Sequence, residues 1–491
     1  MARTISPQPS RALAEFRLLP RLTTLQTVPE KISLRTPLVT CFATGKTLHV
    51  NIPVVSAAMQ AVSGPGMAIA LARQGGVSFL YCSQPVEEEA AMVRAVKGHK
   101  AGFVEPRTVS PQMTLREVFE LSKKHGFSSF PVVDEHKVLL GLIRRDDYDL
   151  SRHGHLKVVE RMTPRARLDV GVEIKDLKAA NELLLEGHHA MLPVVDKGGR
   201  LIAMVFKKDI HEYVENPLQV DDDKKRLLVV GAVNTHDYET RVPALAEAGV
   251  DAVSIDSSDG YSFFQQKALQ WIAERYSGLP VVAGNVVTAA GFEYLADAGA
   301  GAVKVGMGSG TICITQEQKG TGRGLGTAIL DVATARDRYF EKTGKYVPVI
   351  ADGGVVTAKD VVIALALGAD SVMMGRYFAR MDESPSEKVV VNGRLMKAYW
   401  GEGSSRAREW KMARYGQATF VEGVEGLVDY AGKLADNLPE TLAMVKSSMA
   451  SCGVADIRDL HQNAELELVS ALSIREGQVH DVTLPPREPT S

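Results

Sequence analysis

Apolar positions along the chain fall into short continuous runs that stop at glycine or at small polar residues. IPVVSAAM (52–59) and GVSFLYC (76–82) open the series, and LLVVGAV (227–233), AVSIDSSDG (252–260) and VVAGNV (281–286) continue it. AVKVGMG (302–308), VPVIADGG (347–354) and SVMMGR (371–376) complete it. Runs this short, rich in valine and bounded by turn residues, predict buried strands. Amphipathic stretches lie between them. A helical pattern follows Gly64 through Ala72, and PVEEEAAMVRAVK (85–97) carries its acids in the first turns, where they favour a helix N-terminus. LAEAGVDAVSID, LADAGAGAVKVG and LALGADSVMMG are near-repeats in which a glycine ends a helix and a short turn starts the next strand. Eight strands, each followed by a helix or loop, predict an α/β chain folded as a (β/α)8 TIM barrel. An open doubly wound sheet is the alternative, and the near-identical repeats favour a closed ring.

The rhythm breaks from about Thr108 to Tyr213. There FPVVDEHKVLLGLIRRDD (130–147) and LPVVDKGGRLIAMVFKKD (192–209) align almost position by position, each after a helix-like segment (114–126 and 174–189). Two copies of one supersecondary unit are implied. The pair resembles tandem cystathionine-β-synthase (CBS) motifs, a Bateman module, whose cleft often holds adenine or guanine nucleotides. The expected organisation is a first barrel part over 1–105, the tandem module over 106–215, and the rest of the barrel over 216–491. The charged run DDDKK (221–225) reads as a solvated exit linker.

Polar residues gather where the strands end: Ser56, Asp256, Ser257, Ser258, Asp259, Asn285, Cys313, Asp352 and Arg376. In a barrel such positions converge on the C-terminal face, where the catalytic site is built. Cys313 follows Gly306, Gly308 and Gly310, whose turn leaves backbone N–H groups free to favour a thiolate. A buried structural cysteine is the bland alternative. Gly353 and Gly354 after the seventh strand, and Gly375 after the eighth, occupy the usual phosphate corner. Gly320 to Gly326 is read as a mobile loop. The stretch 396–430 is too polar for core and too long for a connector, which makes it a candidate lid. These features describe a barrel enzyme for a phosphorylated substrate, with a cysteine nucleophile.

Composition narrows the partners. The 491 residues are 45% hydrophobic and 24% charged with a net charge of −2, so no global pull toward nucleic acid or a membrane is implied. Four scattered cysteines show neither metal-ligand nor disulfide spacing, which fits a reducing compartment. The first twenty residues lack the apolar core of a secretory signal, and no apolar run approaches a bilayer's thickness. A soluble, cytoplasmic protein is expected.

Taken together, GSGTICIT, ADGG, GR and YWGEGSSR resemble the cysteine loop, phosphate loops and flap of the inosine-5′-monophosphate (IMP) dehydrogenase family, over nearly the whole chain. The resemblance implies NAD-dependent oxidation of IMP to xanthosine monophosphate (XMP). Cys313 would attack purine C2, and Arg414 with Tyr415 on the flap would activate the water that releases the adduct. Thr315 and Glu422 match a second proton route, and Glu422 also matches a contact to the base. Thr311, Asp352, Gly353, Gly354, Gly375 and Arg376 would hold the nucleotide's phosphate and ribose. Tyr399, Trp400, Gly401, Glu402 and Gly403 would hold its base. Asp256, Gly306, Met307 and Gly308 would line the NAD pocket, with Phe264 stacking on adenine. Carbonyls of Gly308, Gly310 and Cys313 match a potassium site that Glu476, Gly477 and Gln478 of a neighbouring subunit complete, which implies a homotetramer. Gln316 departs from the arginine common at its position. GMP reductase, with NADPH and release of ammonia, is the nearest alternative; a nucleotide-sensing protein with an inactive barrel is the other.

Overall fold

The computed structural model describes residues 5–6, 8–99, 106–125, 128–174, 177–187, 190–207, 215–408 and 421–482. Two compact units are present. One comprises Met1–Gly98, Leu218–Val220 and Leu227–Ser491, and the other His99–Pro217 and Asp221–Arg226.

The first unit is built on a closed barrel of eight parallel strands: β1 (Val54–Ser56), β2 (Val77–Leu80), β3 (Val230–Val233), β4 (Ala252–Ile255), β5 (Val281–Val286), β6 (Ala302–Val305), β7 (Val349–Asp352) and β8 (Ser371–Met374). They neighbour one another in chain order, and β2 closes on β3 across the whole second unit. Nearly every strand residue is buried, because side chains fill the lumen on one face and meet the helices on the other. That is why the strands read as unbroken apolar runs.

The three near-repeats fold alike. Gly249, Gly299 and Gly368 take φ of 88°, 99° and 108° just past a helix end. In each case the glycine N–H and the next N–H turn back onto helix carbonyls: Gly249 to Ala246 and Val250 to Leu245, Gly299 to Ala296 and Ala300 to Leu295, Gly368 to Leu365 and Ala369 to Ala364. This pair of bonds satisfies two orphan carbonyls and aims the chain into β4, β6 and β8. Outside the barrel, the buried guanidinium of Arg241 joins helices Val86–Lys97 and Tyr238–Ala248 through Glu89 and Asp237, both at 2.7 Å.

The second unit carries the repeat as two matching hairpins, Ser129–Val133 with Leu139–Arg144 and Met191–Val195 with Leu201–Phe206. Both have a register shift at the same point, Val132/Val133 and Val194/Val195, and both turns are held by an aspartate, Asp134 or Asp196, accepting backbone N–H bonds. Helices Leu115–His125 and Leu177–Glu186 precede them. The DDDKK run is a tight turn, with Asp222 accepting from the Lys224 and Arg226 backbones and from the Arg226 guanidinium.

One sequence expectation needs correction. Gly320 to Gly326 is only partly loop: Leu325 and Gly326 are buried and open the helix Leu325–Thr343. The glycines there serve close packing, since a Cβ at Gly324 would meet the Arg11 carbonyl at 2.6 Å and one at Gly326 the Phe16 ring at 2.5 Å. The described ends of the candidate lid are strands. Lys388–Val391, Arg394–Trp400 and Glu425–Asp429 pair as a three-stranded antiparallel sheet that anchors both of its ends. No helix among the described residues is long and apolar enough to cross a membrane.

Candidate active site

A cleft with a cavity volume of about 170 Å³ opens at the C-terminal ends of the strands. The loop leaving β6 forms its centre. Gly306 has φ 138°, and a Cβ there would meet the Asp352 carbonyl at 1.9 Å, so only glycine lets the loop lie against β7. The chain turns at Cys313, whose N–H donates to the Gly310 carbonyl at 3.1 Å. It then pairs with the segment 422–424: Ile314 N–H donates to Glu422 O and Val424 N–H to Ile312 O. Segments more than a hundred residues apart are thereby fixed edge to edge.

This pairing sets the side chains. Cys313 Sγ lies 3.1 Å from Thr315 Oγ1, and the Thr315 hydroxyl donates to Glu422 Oε2 at 3.2 Å. Thr315 and Glu422 are buried, whereas Cys313 is half-buried and lines the cleft. The other three cysteines are buried, and burial pushes the Cys82 and Cys452 thiols up. Cys313 is therefore the thiol placed for nucleophilic chemistry, with a hydroxyl and a carboxylate in series behind it.

Across the cleft, Asn285 at the end of β5 donates its amide to Asp352 Oδ2 at 2.7 Å and to the Gly306 carbonyl at 2.9 Å. Its other amide atom, Oδ1, is buried without a protein hydrogen-bond partner, and Asn285 is part of the cleft lining. Gly353 and Gly354, at φ 92° and 75°, pack against Ser309 and leave a side-chain-free corner beside Gly375 and Arg376. Tyr399 is buried there beside Thr311, and burial pushes its phenol up to about 12. Glu402 is anchored, not free: Gln60 N–H donates to Oε1 at 2.6 Å and the Ser83 hydroxyl to Oε2. Gly401 and Gly403 line the cleft with it, while Trp400 turns its indole N–H to Gln60 Oε1 and lies under Arg406.

On the β4 side, Asp256 lines the cleft and its Oδ1 takes the buried Lys304 ammonium at 2.9 Å. Met307 and Gly308 line the same side, with Gln316 donating its amide to the Met307 carbonyl. Phe264 is 61% exposed and packs edge-on to Phe263, outside the lining of the cleft. Gly310 and Cys313 line the cleft, but Glu476, Gly477 and Gln478 end an exposed C-terminal helix and do not. Among the described residues no group of three or more His, Cys, Asp or Glu side chains could hold a metal ion. Arg414 and Tyr415 lie outside the described residues.

Gln60, Ser83, Lys304 and Lys319 escaped the sequence reading. Lys304 sits inside an apolar run, and the other three lie in loops and helix ends without a motif. Only inward-facing polarity in a barrel strand offered a signal, and only for Lys304.

A half-buried thiol with a proton relay, facing a glycine corner and an Asn–Asp pair at the mouth of a barrel, defines a nucleotide-processing barrel enzyme. The IMP dehydrogenase / GMP reductase domain is matched over residues 12–480, and the chain belongs to that family. It is 46% identical to the inosine-5′-monophosphate dehydrogenase of Tritrichomonas foetus, over 98% of this chain and 97% of that one. The corresponding Escherichia coli K12 enzyme is 37% identical over 90% and 92%. Among solved structures, a GMP reductase variant from Trypanosoma brucei, with one cysteine changed to alanine and guanosine 5′-monophosphate bound, superposes with a TM-score of 0.83. It is 28% identical, and the match covers 97% of this chain and 99% of that one.

Proposed function

We propose that the protein is an NAD-dependent oxidoreductase that converts IMP to XMP through a covalent adduct on Cys313. The carrying observation is the series Cys313–Thr315–Glu422 at the mouth of the barrel. Cys313 gives up its proton to solvent as its sulfur forms a bond to purine C2. Asp256, Met307 and Gly308 would hold NAD, which would supply the acceptor for the hydride that leaves C2. Water then adds to C2, the C2–S bond breaks, and the thiolate of Cys313 departs with its electron pair. Arg414 with Tyr415 takes the proton of that water, and Thr315 with Glu422 offers a second route for it.

The glycine corner with Arg376 suits the phosphate, Asp352 suits the ribose diol, and the backbone from Tyr399 to Gly403 suits the base. Asp256 suits the diol of the nicotinamide ribose, with Met307 and Gly308 beside it and Phe264 as the adenine platform. Carbonyls of Gly308, Gly310 and Cys313 are hard oxygen donors that suit potassium, completed by Glu476, Gly477 and Gln478 of a second copy in a homotetramer. The tandem unit takes an adenine or guanine nucleotide, and the enzyme works in the cytoplasm.

The 46% identity to a dehydrogenase over nearly the full length, against 28% to the reductase structure, supports oxidation of IMP over reduction of GMP. Acid-quenched enzyme turning over IMP and NAD should yield a peptide in which Cys313 carries a purine nucleotide. A turning-over enzyme with unmodified Cys313 would contradict the covalent route.

A further inference from the structure

Thr315 and Lys319 open and close the same five-residue helix, which ends at Gly320 with φ 66°. Residues four apart share a helix face, and here that face meets Glu422. The two residues address different oxygens of its buried carboxylate. Thr315 donates to Oε2 at 3.2 Å, and the Lys319 ammonium stands 3.9 Å from Oε1. Lys319 also donates to Asp259 Oδ2 at 2.8 Å, in the loop that leaves β4 just after Asp256. That loop is itself tied to β5, with Gly260 N–H donating to Asn285 O and Asn285 N–H to Ser257 O, each at 2.8 Å.

We infer that Lys319 is a positioning residue: it holds Glu422 with Oε2 on Thr315 and fastens the proton relay to the cofactor-side loop at Asp259. Resting on the dehydrogenase reading above, this assigns Lys319 to the water-consuming half of the reaction. The carboxylate of Glu422 can turn about its terminal bond, and a cation 3.9 Å from one oxygen biases that turn so that the other oxygen stays on the threonine. The cation itself is steadied by Asp259, whose hydrogen bond raises the Lys319 pKa, ahead of the opposing effect of burial. Lys319 is not among the residues that line the cleft, so formation of the adduct is left to Cys313 and the substrate pocket.

The test compares the wild type with Lys319→Met, Lys319→Arg and Asp259→Asn. Each is read for XMP formed per second and for the fraction of enzyme carrying an acid-stable adduct from radiolabelled IMP at steady state. Lys319→Met should lower XMP formation about tenfold, the order typical of a group that orients a proton-transfer residue, while the adduct fraction rises. Lys319→Arg, which keeps the cation, should restore most of both values, and Asp259→Asn should fall between. Unchanged turnover in Lys319→Met would overturn the inference. So would a loss in which the adduct fraction falls together with turnover, because that places the damage before hydrolysis. A wild type that forms neither XMP nor adduct would instead remove the dehydrogenase reading, and the role of Lys319 with it.

Discussion

The thiol of Cys313 stands 3.1 Å from the hydroxyl of Thr315. Both belong to one turn between β6 and the helix Thr315–Lys319, so thiol and hydroxyl are placed by a single loop whose backbone is pinned to Glu422 and Val424. Cys313→Ala should abolish turnover while leaving IMP affinity nearly intact, as read by calorimetric titration beside an activity assay. The side chain lost is the one proposed to form the bond to purine C2, but it is a small part of the cleft's lining. Residual turnover close to the wild type would remove the nucleophile from the account.

Asn285 holds the carboxylate of Asp352 at 2.7 Å from the neighbouring side of the barrel. A hydrogen bond to a charged group contributes about 1.5–3 kcal/mol. Asn285→Ala should therefore raise the KM for IMP about tenfold or more, with a smaller change in kcat. Initial rates over a range of IMP concentrations decide it. An unaltered KM would mean that Asp352 keeps its place without the amide.

Arg241 is fully buried and ion-paired to both Glu89 and Asp237, and it also donates to the Gln84 carbonyl at 2.9 Å. Removing one partner of a buried ion pair strands the other, at a cost of about 3–5 kcal/mol. Arg241→Met should lower the denaturant midpoint by that equivalent while the cleft residues stay in place. A shift below about 1 kcal/mol would show that Glu89 is neutral in the folded protein.

Lys397 is buried with its ammonium on the Met381 carbonyl at 2.6 Å and the Ser384 carbonyl at 2.9 Å, and burial pulls its pKa down to about 8. The unfolded chain holds that proton up to about 10.4. Between these two values the unfolded state binds more protons than the folded state, so this group adds stability as pH rises. Chemical unfolding of the wild type and of Lys397→Met across that window should give a steeper rise for the wild type. Parallel curves would contradict the depressed value.

Much of the fold was legible in the sequence because each barrel strand is buried on both faces and so reads as an apolar run, and because three helix ends repeat one glycine turn. The candidate site was legible as strand-end residues and as motifs, and Cys313, Thr315, Asp352 and Glu422 do converge on one cleft. What stayed hidden depends on register and on distant pairing. Lys304 meets Asp256 only because β4, β5 and β6 lie side by side, and Glu402 meets Gln60 and Ser83 only once the barrel closes. The helix Thr315–Lys319 is five residues long between glycine-rich stretches, too short for any periodicity to show. The strands Arg394–Trp400 and Glu425–Asp429 were hidden for another reason: polar Lys397 is buried while apolar Leu427 is exposed, so neither strand shows a clean alternation.

The most direct measurement is absorbance at 340 nm, the band of reduced nicotinamide, with purified protein, IMP, NAD and potassium, beside a mixture of GMP and NADPH. A rise in the first mixture matched by formation of XMP is the expected result. No rise there, with a fall in the second, would make the enzyme a reductase and would contradict the assignment of its substrate.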